Sequence, residues 1–338
     1  MGGKALKSVI TRRYQKQEYS KLVLEILPKI EELTNSIVAV PKEYVTKADF
    51  GDLDVLILND GNLDLRKVAE ELGANEIQNN GGAVYSFDYK EFQIDLIPVT
   101  PSNWASAQFF YSYGDLGNCL GKITYNLTRF EKDLTLKFGW DGLKLIYNPD
   151  GRKYELNISR NPTRIKQWFG MDLEKDKLGY NDPMDLIATL YDTQLFSSDA
   201  FVWENMNSVN KHRNKKRPGF TAIVDAVEQM PEKEFHFSRI ELLGDLSEFF
   251  GVNIQGWINE MEADNAAALA RAAKFNGKMI MEKYPHLQGK ELGDAIKGFK
   301  EYILEGTSLW DFDSFVDEST SEKIMKHFDE YYISIKQL

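Results

Sequence analysis

The stretch Asp49-Phe50-Gly51-Asp52-Leu53-Asp54-Val55-Leu56-Ile57-Leu58 constrains the fold of this chain more than any other. Leu53 to Leu58 read as a buried strand, LDVLIL, that opens on two aspartates. Strand side chains alternate between faces, so Asp52 and Asp54 point one way while Leu53 and Val55 enter a core. At ~3.3 Å per residue the two carboxylates stand about 7 Å apart along the strand, and they repel unless a cation lies between them. Mg²⁺ is held in this manner, by a few carboxylates plus waters and substrate phosphates. A plainer reading is open for such a pair alone: Asp52 caps the turn after Gly51 and Asp54 faces water.

A third acid narrows the choice. In Phe92-Gln93-Ile94-Asp95-Leu96-Ile97, Ile94 and Leu96 face one side and Asp95 the other. A carboxylate in so apolar a strand needs a partner, because burying it alone is costly. If the two strands are neighbours, Asp52, Asp54 and Asp95 converge as ligands for two Mg²⁺ or Mn²⁺ ions. Such a pair can activate an attacking hydroxyl and neutralise a triphosphate and its departing pyrophosphate. Asp95 is best placed to help deprotonate the hydroxyl.

The 338 residues allow two or three domains. An α-helix is expected over Glu18–Leu33, with Leu22, Ile26, Ile30 and Leu33 on one face and a kink or break at Pro28. After the first strand come a turn at Asn59-Asp60-Gly61-Asn62 and a short helix, Leu63–Leu72, stopped by Gly73. A hairpin follows, Ala83–Phe87 and Phe92–Val99 around Asp88-Tyr89-Lys90-Glu91. A second pairs Leu143–Tyr147 with Lys153–Ile158 across Asn148-Pro149-Asp150-Gly151. Asn161-Pro162 and Asp182-Pro183 then open helices, as N-cap followed by proline. Further helices are expected near Arg239–Phe250, Trp257–Tyr284, Lys290–Leu304 and Thr320–Ile335.

Several chemistries are excluded. There is no GxxxxGK[ST] loop, no GxGxxG after a strand, and no GxSxG or HExxH. The four histidines are scattered and there is a single cysteine, Cys119, which argues against a zinc site and an internal disulfide framework. No apolar run approaches the roughly 18 residues of a membrane span. MGGKALKSVI lacks a secretory apolar core, and Leu6 stands where myristoylation wants Ser or Thr. A cytoplasmic protein without a membrane partner is the expectation. The net charge of −11 opposes non-specific coating of nucleic acid but leaves room for a local basic groove.

Taken with these residues, the chain resembles the polymerase β nucleotidyltransferase superfamily, most closely the palm of family X DNA polymerases. Phe50-Gly51-Asp52-Leu53-Asp54-Val55-Leu56 is similar to that family's GDxDhhh signature, and Ile94-Asp95-Leu96 to its third-carboxylate strand. Asn103-Trp104-Ala105-Ser106-Ala107 through Phe110-Tyr111-Ser112-Tyr113-Gly114 resembles its tryptophan-led helix and the YFTG turn beside the nucleotide sugar. Leu134–Leu143 is similar to the stretch closing the palm. The likeness covers roughly residues 35 to 160.

The resemblance implies transfer of a nucleoside monophosphate from an NTP or dNTP to a hydroxyl. It implies nucleotide contacts at Gly51, Tyr113 and Gly114. The family's Gly-Ser phosphate motif is replaced here by Val40-Pro41-Lys42, so the phosphate grip falls to Lys42 or Lys47. Tyr113 replaces the threonine of the YFTG turn. Lys122 and Arg129 follow that turn and could reach the triphosphate; a solvated helix face is the alternative. The helix-hairpin-helix motif of family X is absent. Phe275-Asn276-Gly277-Lys278-Met279-Ile280-Met281 through Gly289-Lys290-Glu291-Leu292-Gly293 instead resembles the tail of CCA-adding tRNA nucleotidyltransferases.

The densest basic run, Lys211-His212-Arg213-Asn214-Lys215-Lys216-Arg217, suggests a phosphate-backbone grip by Lys211, Arg213, Lys215, Lys216 and Arg217; a solvated charge run is the alternative. Thr11-Arg12-Arg13 with Lys16 reads as surface. Trp168-Phe169 and Trp203 read as core rather than base-stacking, and Trp310-Asp311-Phe312-Asp313 carries no assigned chemistry. The expectation is an α+β protein: a nucleotidyltransferase palm, a mixed sheet with flanking helices, over 1–160, a helical middle domain over 161–252 and a helical C-terminal domain over 253–338. Its leading function is extension of a nucleic-acid 3′ hydroxyl, with a tRNA or RNA end favoured over repair-type DNA synthesis. Nucleotidylation of a small molecule or protein, and a catalytically degenerate nucleic-acid-binding module, are the alternatives.

Overall fold

A computed structural model describes residues 3–59, 61, 63–81, 84–306 and 311–336. The chain forms two compact units, Met1–Ile254 and Gln255–Leu338. Residues 161–252, expected as a separate domain, belong to the first unit.

In chain order the first unit begins with β1 (Tyr14–Gln15), α1 (Lys16–Thr34), β2 (Val38–Ala39), β3 (Asp49–Phe50), β4 (Asp52–Leu58) and α2 (Leu65–Glu71). It continues with β5 (Ile77–Asn79), β6 (Tyr85–Tyr89), β7 (Phe92–Val99), α3 (Trp104–Tyr111) and α4 (Leu116–Leu127). β8 (Leu134–Gly139), β9 (Gly142–Tyr147) and β10 (Tyr154–Ser159) form an antiparallel sheet. Then come α5 (Pro162–Phe169), α6 (Leu173–Leu178), α7 (Pro183–Tyr191), α8 (Ser208–Asn214), α9 (Pro218–Gln229) and α10 (Arg239–Phe250).

The central sheet is mixed, in the order β2-β4-β7-β6-β5, with β4 and β7 parallel and the other pairs antiparallel. Period-two alternation sorts its two faces. Leu53, Val55 and Ile57 of β4 join Ile94 and Leu96 of β7 in a core closed by Tyr19, Leu22, Ile26 and Ile30 of α1 and Leu65, Val68 and Ala69 of α2. On the opposite face Leu56, Ile97 and Val99 pack against Ala107, with Trp104 and Tyr111 beside them. α3 thus covers one end of that face, and Asp52, Asp54 and Asp95 occupy the other.

α1 runs unbroken through Pro28, contrary to the expected break. The carbonyl that loses its partner belongs to Leu24, whose residue is exposed, so water can satisfy it. The buried stripe ends on Thr34, whose hydroxyl donates to the Ile30 carbonyl at 2.7 Å, and Leu33 is exposed. The β6–β7 turn is tighter than expected: Asp88 and Tyr89 stay in the strand, and Lys90 and Glu91 alone turn at φ 50° and 60°. The start expected at Ala83, and Asp60 and Asn62 of the expected turn, lie outside the described residues. The hairpin expected from 143 to 158 has a third strand, β8, joined to β9 through Trp140-Asp141.

Helix starts follow the capping residues. Asp64, Asn161 and Asp182 each accept two backbone N–H groups at their helix's first turn, and Gly170 ends α5 at φ 74°. Trp168 and Phe169 are core.

The second unit is helical: α11 (Ile254–Lys274, starting on the first unit's last residue), α12 (Gly277–Lys283), α13 (Gly289–Gly306), α14 (Phe312–Asp317) and α15 (Ser321–Lys336). Its core gathers Ile280, Phe299, Phe312, Phe315, Phe328 and Tyr332. The single helix expected over Trp257–Tyr284 is interrupted, because Asn276 is extended and its side chain caps α12 at the Met279 N–H. Asp311 caps α14 and Asp313 pairs with Arg271, while Trp310 lies outside the described residues.

Candidate active site

β4 and β7 lie side by side in register, with Asp54 opposite Asp95 and Asp52 opposite Gln93. Paired residues of parallel neighbours share a face, about 4.8 Å apart between strands. The three aspartates therefore stand on one patch of sheet.

Each carboxylate has a different environment. Asp52 accepts the backbone N–H of Gly3 at 3.1 Å. Asp95 accepts the Ser86 hydroxyl at 2.5 Å and the Gln93 amide at 2.9 Å, both on one oxygen. Burial holds the Asp54 carboxyl well above the usual range, and the charges of Asp52, Asp95 and Glu43 add to it against a smaller opposing pull from Lys47. Asp95 is raised to about 6, chiefly by burial, with the Ser86 hydrogen bond opposing and Asp52 adding.

Sequence reasoning missed Glu43. Its carboxyl is raised by burial and by Asp52, is countered by the Lys47 ammonium at 2.6 Å, and in turn raises Asp54. Its position directly after Lys42, in the loop read for phosphate grip, was the available signal. Lys47 also lies 4.5 Å over the Phe50 ring, which stacks on Tyr19 at 3.8 Å. Tyr19 is raised by burial and then by Glu43, Asp54 and Asp52, so it walls the acids.

As they stand, no three of the described His, Cys, Asp or Glu side chains close on a point tightly enough to hold a metal ion. The donor set still suits a hard divalent cation: it is all carboxylate oxygen, and a positive charge there relieves the repulsion that raises Asp54. Asp52 Oδ1 and Asp95 Oδ2 take no part in these hydrogen bonds and are the oxygens open to a common ion.

The segment before β1 crosses this patch. Besides the Gly3 contact, Ala5 N–H donates to Gln93 at 2.9 Å. Lys7, Ser8 and Val9 donate backbone N–H groups, and Ser8 its hydroxyl, to the carboxylate of Glu76. Gly3 has φ +79°, and a Cβ there would stand 2.2 Å from the carbonyl oxygen of Gly51, so only glycine fits. Gly51, expected at the nucleotide, is the residue that Gly3 abuts.

Other expected nucleotide contacts are dispersed. Lys42 donates to the Asp176 carbonyl at 3.0 Å. Tyr113 is a correction: its ring is buried against Tyr44 and Tyr180, so it serves the core rather than a sugar. Its N–H donates to the Lys42 carbonyl at 2.6 Å, and Gly114 at φ 63° accepts from Arg217 at 2.7 Å. Lys122 is buried rather than on a solvated face, and Arg129 pairs with Asp199.

The basic run folds into α8 and the turn before α9, and its cations divide. Arg217 pairs with Asp115 at 2.9 Å, Lys211 with Glu204 at 3.2 Å, and Lys215 lies 5.7 Å from the Trp203 ring. Arg213 and Lys216 are exposed with no side-chain partner among the described residues. Tyr111 feels both Asp54 and Arg213, and Lys122 feels Arg213, so Arg213 is within electrostatic reach of a ring that Asp54 also reaches. Arg12, Arg13 and Lys16 are engaged by Glu18, Asp49 and the Val45 carbonyl. Among the described residues no helix is long and apolar enough to cross a membrane.

In comparisons with known proteins, the chain matches no family and no curated sequence.

Proposed function

We propose that the protein is a nucleotidyltransferase that moves a nucleoside monophosphate from an NTP or dNTP to a nucleic-acid 3′ hydroxyl and releases pyrophosphate. The observation that carries this reading is the carboxylate patch: three aspartates on one face of two parallel strands, with the central one raised first by burial and then by its neighbours' charge. A patch of that kind is unfavourable by itself and becomes favourable around cations. Asp52, Asp54 and Asp95 would hold two Mg²⁺ or Mn²⁺ ions, which supply charge neutralisation at the triphosphate and ease deprotonation of the hydroxyl.

The chain's own residues do the rest. Asp95 takes up the hydroxyl proton as the carboxylate closest to the proposed acceptor. Ser86 and Gln93 fix its orientation. Lys47, inside the acidic cluster, and Arg213, across Tyr111 from Asp54, offer positive charge to the triphosphate. The resemblance of the α12–α13 stretch favours a tRNA or RNA end as acceptor. Buried Cys119 suits a reducing, cytoplasmic setting.

The test is transfer of label from α-labelled NTPs or dNTPs, with Mg²⁺ or Mn²⁺, to trimmed tRNA, single-stranded DNA and gapped duplex in parallel. Extension of one acceptor, abolished by Asp52→Asn with Asp54→Asn, supports the reading. Label appearing on the protein or a small molecule, with none on nucleic acid, replaces it by the alternative nucleotidylation.

A further inference from the structure

One face of α4 presents Lys122, Tyr125 and Asn126, and the turn after it Arg129, to a cavity also lined by residues between 199 and 210. Its free volume is only about 20 Å³, room for one compact group and far too little for a whole nucleoside. Its lining is rich in donors that lack acceptors. Asn126 is 4% exposed and its Nδ2 has no hydrogen-bond partner; Arg129 Nε and Nη1 are likewise buried and unpaired. Lys122 is 8% exposed and its ammonium meets no acceptor among the described residues. The carboxylate of Asp199 holds Arg129 Nη2, and the Phe130 ring lies 4.4 Å from the guanidinium carbon. The guanidinium is thus oriented with the Nε–H on one edge and the Nη1 N–H groups on the other left over.

Leaving so many donors buried and unpaired costs about 1–3 kcal/mol for each neutral group and more for a charged one. A core position has no reason to keep them. We infer that this cavity seats one phosphate group, accepting from Asn126 Nδ2, from one unpaired edge of the Arg129 guanidinium and from the Lys122 ammonium. The oxygens of a single phosphate can take all three donors, and two cations against the single Asp199 leave the seat positive. The inference goes beyond nucleotidyl transfer and stands without it, because none of the residues lining the seat belongs to the carboxylate patch. Its phosphate comes either from a nucleotide or from a nucleic-acid strand.

The full-length protein is titrated calorimetrically with inorganic phosphate in EDTA. Wild type should bind saturably, and Asn126→Leu and Arg129→Gln should each weaken binding at least about tenfold. Asp52→Asn with Asp54→Asn should bind as well as wild type, which separates failure of this seat from failure of the metal reading. Displacement of phosphate by an NTP assigns the seat to the nucleotide; displacement by an oligonucleotide but not an NTP assigns it to the strand. Asn126→Leu also reads the apo state: without phosphate its melting temperature should hold or rise, since an unpaired buried donor is gone. Phosphate binding that is absent, that survives both pocket variants, or that vanishes only in the aspartate variant overturns the proposal. So does an Asn126→Leu protein that melts lower while binding phosphate normally, which would mean a water-bridged structural amide.

Discussion

Asp95→Asn should stabilise the metal-free protein at alkaline pH while abolishing the activity proposed for it. Asp95 titrates near 3.8 when unperturbed and near 6 in the folded chain, mainly because burial disfavours its charge. The folded state therefore holds its proton more tightly than the unfolded state. Stability from this group is fully present below pH 3.8 and is lost as pH rises through 6. At 1.36 kcal/mol per pH unit, the rise from 3.8 to about 6 amounts to about 3 kcal/mol. Asparagine is neutral throughout and keeps an oxygen for Ser86 and Gln93, so it escapes the loss. Urea unfolding in EDTA, repeated from pH 4 to pH 8, should show the two proteins near parity at pH 4. By pH 8 the variant should lead by about 3 kcal/mol, on the same linkage. Mg²⁺ should then restore the wild type selectively, by about 2.7 kcal/mol at a hundred times its Kd. A variant that is no more stable at pH 8, or a gap that ignores pH, would refute the argument that Asp95 is ionised at a cost.

Five other substitutions test separate parts of the account. Gly3→Ala puts a Cβ into the Gly51 carbonyl at a left-handed backbone, a strain of about 1–3 kcal/mol, and should speed amide exchange of Ala5, Lys7, Ser8 and Val9; unchanged exchange would mean the segment is held elsewhere. Gly117→Ala drives a Cβ to 2.3 Å from the Phe110 carbonyl oxygen and 2.6 Å from its ring, so the urea midpoint should fall by the equivalent of about 1–3 kcal/mol, and an unmoved midpoint contradicts the α3–α4 packing. Arg213→Ala and Lys216→Ala should each lower the salt dependence of nucleic-acid binding by about one ion and leave stability within about 0.5 kcal/mol. Arg217→Ala should instead cost about 3 kcal/mol by stranding buried Asp115, and equal behaviour of all three would erase the division drawn within the basic run.

The carboxylate strands were legible because alternation is a local property. Acid and aliphatic residues one position apart announce two faces, and Asp52, Asp54 and Asp95 fall on the face that alternation assigns them. Helix starts were legible for the same reason: Asn161-Pro162 and Asp182-Pro183 satisfy the first turn from within it. What escaped depends on distant partners. The parallel pairing that sets Asp54 against Asp95 joins residues 41 positions apart in the chain, so the sequence offered that convergence only on the condition that the two strands are neighbours. Gly3 on Asp52, and Glu76 beneath Lys7, Ser8 and Val9, are likewise invisible in their neighbourhoods. β8 was missed although Leu134, Leu136 and Phe138 alternate with Thr135 and Lys137, because its pattern was read as part of a longer likeness rather than by period. The basic run looked uniform in sequence, yet Asp115, Glu204 and Trp203 claim some of its cations and leave Arg213 and Lys216 to the solvent.

The central claim is that the carboxylate patch gathers divalent ions around a nucleoside triphosphate. Mn²⁺ binding, counted by electron paramagnetic resonance with an NTP present, tests it most directly. Wild type should take up two ions per chain, and Asp54→Asn should lose saturable binding at the same concentrations. Mn²⁺ uptake that is absent from wild type, or that is the same in both proteins, would contradict the claim.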